Sequence, residues 1–121
     1  MGRKSISRKS LRKKVWDLQS IYVRKKGKGK CVTCGTKKHW KEQQAGHFIH
    51  GDSLDFDLRN IHCQCVRCNH WLSGNLTEYT LFMLDKYGRK VIDELRVLKN
   101  QVKKFSRKEL EELVAYYEEK L

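Results

Sequence analysis

Two C-x-x-C pairs, Cys31/Cys34 and Cys65/Cys68, are the residues of this chain whose spacing most directly implies chemistry. Each pair sets two thiolates on one tight turn, and two such turns brought together supply the four tetrahedral sulfur ligands of a closed structural zinc site. Thirty residues separate Cys34 from Cys65, more than a compact zinc ribbon holds. The enclosed segment would therefore be anchored at both ends by the metal and need not fold alone. It carries a second set of chemically capable residues: His47 in the apolar stretch Ala45-Gly46-His47-Phe48-Ile49, and Asn60 thirteen positions later, with Asn69 following directly after the last cysteine. A lone strand histidine is ordinarily structural, but between two cysteine knuckles and followed by two asparagines His47 is a candidate for catalysis. Cys63, in C-x-C with Cys65, reads as a spare buried thiol, and His39, His62 and His70 read as packing or surface residues.

The order His47, Asn60, Asn69 resembles that of the HNH, or ββα-metal, nucleases. The segments CVTCGT, AGHF, NIHCQCVRCN and SGNLTEY resemble more narrowly the NinG/Rap recombination endonucleases of lambdoid phages, over roughly Cys31 to the C-terminus. The resemblance implies a ββα finger with added helices, and metal-dependent cutting of branched DNA such as D-loops and Holliday junctions. It also implies roles: His47 activates water, Asn60 orients the finger or His47, and Asn69 holds a catalytic Mg²⁺ or Mn²⁺ ion on the scissile phosphate. An imidazole titrating near neutrality suits a general base, and a magnesium-like ion takes oxygen ligands while keeping several waters. The chain departs from the wider superfamily at Gly46, where most HNH sites place Asp or His as the second metal ligand. His50, Asp52 and Asn75 are the candidates for that ligand. Two rival readings are a non-catalytic zinc-dependent nucleic-acid-binding module and an HNH nuclease of homing or restriction type.

With 121 residues, 34% of them charged, and a mean hydropathy of −0.76, the chain suits one domain with a small core, which a zinc staple would reinforce. The opening MGRKSISRKS is not the apolar core of a signal peptide, so the five cysteines point to metal-bound thiolates in a reducing cytoplasm rather than disulfides. No run approaches the roughly 20 apolar residues of a membrane span. The formal charge is +13, and residues 1–30 hold 12 Lys/Arg against one acid, so almost the whole excess precedes the first cysteine. Arg12, Lys13, Lys14, Arg24, Lys25 and Lys26 are expected to contact DNA phosphates, and the symmetry of junction substrates favours a homodimer.

The elements that must position these residues are read in three parts: a basic arm and helix over 1–30, a zinc-stapled ββα core over 31–75, and C-terminal helices over 76–121. The fold class expected is α+β, mainly α-helical, with an HNH-like finger. Residues 1–7 read as a frayed arm. Leu11, Val15, Leu18 and Tyr22 then give the buried stripe of an amphipathic helix that Gly27 and Gly29 end. Trp16 falls off that stripe and is expected at the core's edge, with stacking on nucleic acid as the alternative. The first strand is expected around His47–Ile49 and the second over Asn60–Gln64, followed by a short helix from Cys68 or Asn69 that Ser73-Gly74 interrupts. Asn75 reads as an N-cap with Glu78 as capping-box partner, leading a helix whose core contacts are Leu76, Leu81, Leu84 and Tyr87 and which Gly88 ends. A third helix carries Val91, Leu95 and Leu98. The last is announced by Ser106 and Glu109 as a capping box, with Phe105 stapled on Leu110, and buries Leu110, Leu113, Val114, Tyr117 and Leu121.

Overall fold

The computed structural model describes residues 6–121. The part of the expected arm that lies in residues 1–5 falls outside them, whereas Ile6 and Ser7 are held in place. The Ile6 carbonyl accepts from Arg107, and the Ser7 hydroxyl accepts the Ser10 N–H as the N-cap of helix α1, Arg8–Lys26. The buried positions of α1 are Leu11, Val15, Gln19 and Val23. The expected stripe is therefore correct in its first two members and then turns. Gln19 is buried because its amide donates to the Phe56 carbonyl at 2.9 Å and to the Tyr117 hydroxyl at 2.8 Å, a polar contact that hydrophobic periodicity does not register. Leu18 and Tyr22 are left partly buried at the edges. After Gly27 the left-handed conformation falls on Lys28 (φ 54°) and Gly29 (φ 72°), which turns the chain into the first cysteine pair.

Helix α1 packs on the last helix, α4, Arg107–Lys120, through Leu11, Val15, Phe56, Phe105, Leu110 and Val114. Both halves of the capping box form at α4: Ser106 Oγ accepts from the Glu109 N–H, and Glu109 accepts from the Ser106 N–H. Phe105 and Leu110 share this cluster, as a hydrophobic staple requires. Leu121, by contrast, is exposed.

The finger is a two-stranded antiparallel sheet of β1, Gln44–His47, and β2, Ile61–Gln64, with Gly46 opposite His62 and His47 opposite Ile61. The first strand thus starts three residues before the expected His47–Ile49 segment, and ends where that segment begins. Phe48 leaves the ladder to enter a second core with Leu54, Tyr79, Met83, Ile92 and Leu95, and Ile49 pairs through its backbone with the Asn60 side chain instead of a strand.

Beyond β2 a single turn of π-helix, Arg67–Trp71, closed by a Leu72 N–H to Arg67 C=O bond of 2.8 Å, carries Cys68 and Asn69. Asn75 does not cap the following helix α2, Leu76–Tyr87. It sits in the left-handed region (φ 48°) and its amide turns back to Cys68 Sγ at 3.6 Å. In α2 Tyr79 and Met83 face the core while Leu76, Leu81 and Leu84 are exposed, contrary to the sequence expectation. Gly88 at φ 85° separates α2 from α3, Arg89–Lys99, which buries Ile92 and Leu95 with Val91 and Leu98 at the margin.

Candidate functional site

The Sγ atoms of Cys31, Cys34, Cys65 and Cys68 all lie within 4.8 Å of one another, and Cys34 and Cys65 are 3.6 Å apart. Two sulfurs bound tetrahedrally to zinc at about 2.3 Å stand about 3.8 Å apart, so the cluster could hold a structural metal such as zinc. Its surroundings suit thiolates. Thr33 Oγ1 lies 3.2 Å from Cys31 Sγ and Thr36 Oγ1 3.0 Å from Cys34 Sγ, while the Cys68 N–H donates to Cys65 Sγ at 3.4 Å. Burial opposes charge on Cys31, but the Thr33 hydroxyl and neighbouring amides overcome it and bring that thiol down to about 6. Burial pushes Cys65 the other way, up to about 12. Cys63 stands apart: it pairs across the sheet with Ala45, is buried, and is pushed up to about 11 chiefly by that burial.

His47 ends β1, and its Nε2 lies 3.1 Å from the Asp55 carbonyl. A carbonyl can only accept, so Nε2 carries the proton and Nδ1 keeps the lone pair. Burial lowers the His47 pKa below the ordinary value, with the Asp55 carbonyl opposing and nearby His50 assisting, which keeps the ring neutral at neutral pH. The ring plane is set from α1: Trp16 stacks on it at 4.9 Å between centroids. Asp55 is held in turn by α1, its carboxylate taking the Arg12 guanidinium at 2.5 Å. The Asn60 side chain makes no hydrogen bond to His47. It is fully buried and clamps Ile49 in both directions, Oδ1 accepting at 3.0 Å and Nδ2 donating at 2.8 Å, thereby closing the loop that presents Asp55.

Asn69, in the π-helical turn, lies beside β1, its amide donating to Gln44 Oε1 at 2.8 Å. Two clefts meet at Trp16. One, of about 280 Å³, is lined by Arg12, Lys13, Trp16, His47, Asp55 and Phe56, and the other, of about 360 Å³, runs past Trp16, Arg24, Gln44 and Asn69. The helix expected to serve as a DNA-binding arm is thus also a wall of the candidate site. Of the three candidates for a second metal ligand, Asn75 is committed to the cysteine cluster, and His50 and Asp52 are exposed in the loop after β1. The remaining histidines behave as expected. His39 and His70 are exposed, and His62 is packed between the Tyr79 and Tyr87 hydroxyls at 3.0 and 2.8 Å, its pKa driven down to about 4 by burial.

The six basic residues expected to meet DNA divide into two groups. Lys13, Lys14, Lys25 and Lys26 are exposed. Arg12 and Arg24 are half-buried and engaged within the protein, Arg12 with Asp55 and with the Phe56 ring, Arg24 with the Ser20 carbonyl and the Trp40 ring. Sequence reasoning missed the support of His47 by Trp16, Arg12 and the Asp55 carbonyl. The off-stripe position of Trp16 was the available signal, whereas a backbone carbonyl leaves none. Among the described residues no helix is long and apolar enough to cross a membrane.

Comparison with known proteins adds a family. The profile described as "NinG: Bacteriophage Lambda NinG protein" matches residues 3–121. The chain is similar to Protein ninG of Escherichia phage 933W, at 35% identity over 75% of this chain and 46% of that protein. It is also similar to Protein ninG of Salmonella phage P22 and of Escherichia phage lambda, each at 34% identity over 75% of this chain and 45% of the relative. The chain therefore spans about half the length of these curated relatives. No solved structure matches it.

Proposed function

This chain belongs to the NinG family of bacteriophage proteins, and we propose that it is a metal-dependent DNA endonuclease of the HNH (ββα-metal) type, selective for branched recombination intermediates. The observation that carries the reading is the state of His47: a neutral imidazole with Nε2 committed to a backbone carbonyl and Nδ1 free of any hydrogen bond to the described residues, facing a cleft walled by a basic helix.

In this reading His47 Nδ1 takes a proton from the attacking water, and the Asp55 carbonyl steadies the imidazolium that results. Trp16 holds the ring against rotation, so the base is aimed before substrate arrives. Asn69 Oδ1, an oxygen that accepts nothing from the described residues, fits a hard divalent ion such as Mg²⁺ or Mn²⁺. That ion would supply charge stabilisation for the scissile phosphate and the departing 3′ oxygen. The exposed Lys13, Lys14, Lys25 and Lys26 on α1 provide phosphate affinity. Zinc in the four-cysteine cluster ties β2 and the π-helical turn to the loop that precedes β1, and so fixes Asn69 relative to His47. A homodimer would suit the paired strands of a junction.

The test is incubation of zinc-loaded protein with a branched and a matched linear duplex, with and without Mg²⁺ or Mn²⁺. Metal-dependent nicking of the branched substrate, lost in His47→Ala with binding retained, is the expected result. The half-burial of His47 under Trp16 favours a second reading, a zinc-dependent nucleic-acid-binding module without activity. Wild-type protein that binds branched DNA and never cuts it with either ion would select that one.

A further inference from the structure

Gly46 occupies the place where a side chain would point toward Asn69, and the three atoms nearest to a Cβ built there are Gln64 Oε1 at 1.9 Å, Asn69 Oδ1 at 2.7 Å and Gln64 Cδ at 2.8 Å. The room for a residue-46 side chain is taken by Gln64, reaching in from β2. We propose that Gln64 Oε1 supplies the oxygen ligand that Gly46 lacks, so that Gln64 and Asn69 together form a seat of two amide oxygens for a divalent cation such as Mg²⁺ or Mn²⁺. The seat deepens the endonuclease reading and, in its catalytic role, rests on it.

Three observations converge. Gln64 is fully buried, and its Nε2 donates to the Gly74 carbonyl at 2.8 Å and to Thr33 Oγ1 at 3.2 Å. Because the Gly74 carbonyl can only accept, the amide cannot be flipped, and Oε1 must be the atom turned toward Gly46. Oε1 meets no donor among the described residues, an arrangement that is costly for a buried acceptor. Gln19 and Gln43 also leave Oε1 unpaired, but Gln64 Oε1 has a second acceptor for a neighbour, Asn69 Oδ1, on the same side of Gly46. Two amide oxygens side by side with no donor between them favour a positive group as a shared partner. Uncharged oxygen donors suit a hard cation and not zinc. Such a neutral seat holds its ion weakly, so substrate phosphate would complete the coordination sphere.

Mn²⁺ titrated into ¹⁵N-labelled, zinc-loaded wild-type protein tests this without any substitution. The side-chain NH₂ signals of Gln64 and Asn69 should broaden at lower Mn²⁺ than those of the other glutamines and asparagines, and Mg²⁺ should reverse the effect. Broadening confined to surface carboxylates, with both amides sharp, would overturn the proposal and leave an ordered water as the partner of Oε1. In a second arm, Gln64→Met and Gly46→Ala should each lower Mn²⁺ affinity by ~10-fold or more, read by electron paramagnetic resonance of free Mn²⁺ with zinc content and melting as folding controls. The exchange Gly46→Asp with Gln64→Ala, which moves the oxygen ligand from β2 to β1, should restore binding. Unchanged Mn²⁺ affinity in a folded Gln64→Met protein would remove Gln64 from the site while leaving the nuclease reading intact. Wild-type protein that seats Mn²⁺ at these amides yet cuts no DNA would keep the seat and end the nuclease reading.

Discussion

The cysteine cluster and the His47–Asn69 region share one small finger but are held together differently. Each cysteine pair is positioned by its own tight turn, and threonine hydroxyls two residues along, Thr33 and Thr36, supply contacts to sulfur. The other region is assembled from distant parts. Trp16 and Arg12 come from α1, Asp55 from the loop between the strands, and Asn69 from the π-helical turn beyond them. A chelating cluster can be specified locally because the metal supplies the long-range cohesion. An imidazole with a defined tautomer and plane needs neighbours that only tertiary packing brings.

The sharpest way to test that difference is to remove the metal. Chelation, or Cys65→Ser, should abolish the cooperative thermal transition of the finger. Structural zinc contributes on the order of 10–16 kcal/mol, as much as the roughly 5–15 kcal/mol by which a domain is stable at all. An unchanged melting curve by circular dichroism, or folded protein without zinc, would make the cluster dispensable and erase the contrast.

Next in size is His47→Ala, which should slow nicking by about 10² to 10⁴ while DNA affinity and melting temperature stay near wild type. Equal cutting by the two proteins would show that the base lies elsewhere.

A smaller effect is expected for Trp16→Ala and Arg12→Ala, which leave the His47 side chain intact and loosen its support. A misplaced catalytic group costs up to about 100-fold, and the loss should appear in kcat more than in binding. Trp16→Ala has a second signature. Burial disfavours the imidazolium of His47, so the wild-type acid limb of the pH–rate profile should lie below the ordinary histidine value of 6.5 and move up toward it when the ring is uncovered. By linkage, the same depressed pKa makes the native state lose stability as pH falls below 6.5, because the unfolded chain binds the proton first. A limb that does not move in Trp16→Ala would show that Trp16 is only packing.

The smallest change should follow replacement of Lys13, Lys14, Lys25 and Lys26 by glutamine. Each lysine–phosphate interaction removed flattens the salt dependence of DNA binding by about 0.9 in log–log slope, with little effect on cleavage of saturating substrate. An unaltered slope would reduce these lysines to a solvated face.

Much of the scaffold was legible because it is written in short-range chemistry. The capping box at Ser106 and Glu109 forms as its spacing implied, and the break at Gly88 falls where a left-handed residue was needed. The readings that failed depended on direction. Asn75 carries an N-cap side chain but lies in the left-handed region with its amide on Cys68, and the helix after it buries Tyr79 and Met83 in place of Leu76, Leu81 and Leu84. The apolar Phe48-Ile49 pair read as strand, yet Phe48 belongs to the core made with α2 and α3. Hydrophobic pattern states that a residue will be buried without stating against what.

By itself the sequence determined the four cysteines as one cluster, the order of His47, Asn60 and Asn69 along the finger, the basic charge of the first helix and the family to which the chain belongs. Cysteine spacing, capping and charge act over a few residues, and so survive in a linear string. Tertiary structure alone decided that Trp16 covers His47, that the Asp55 carbonyl assigns its tautomer, that Arg12 is spent on Asp55, and that Gln64 fills the place beside Gly46. Each of these depends on atoms brought together by packing between segments far apart in the chain, and two of them depend on backbone or on a missing side chain, for which residue identity carries no signal.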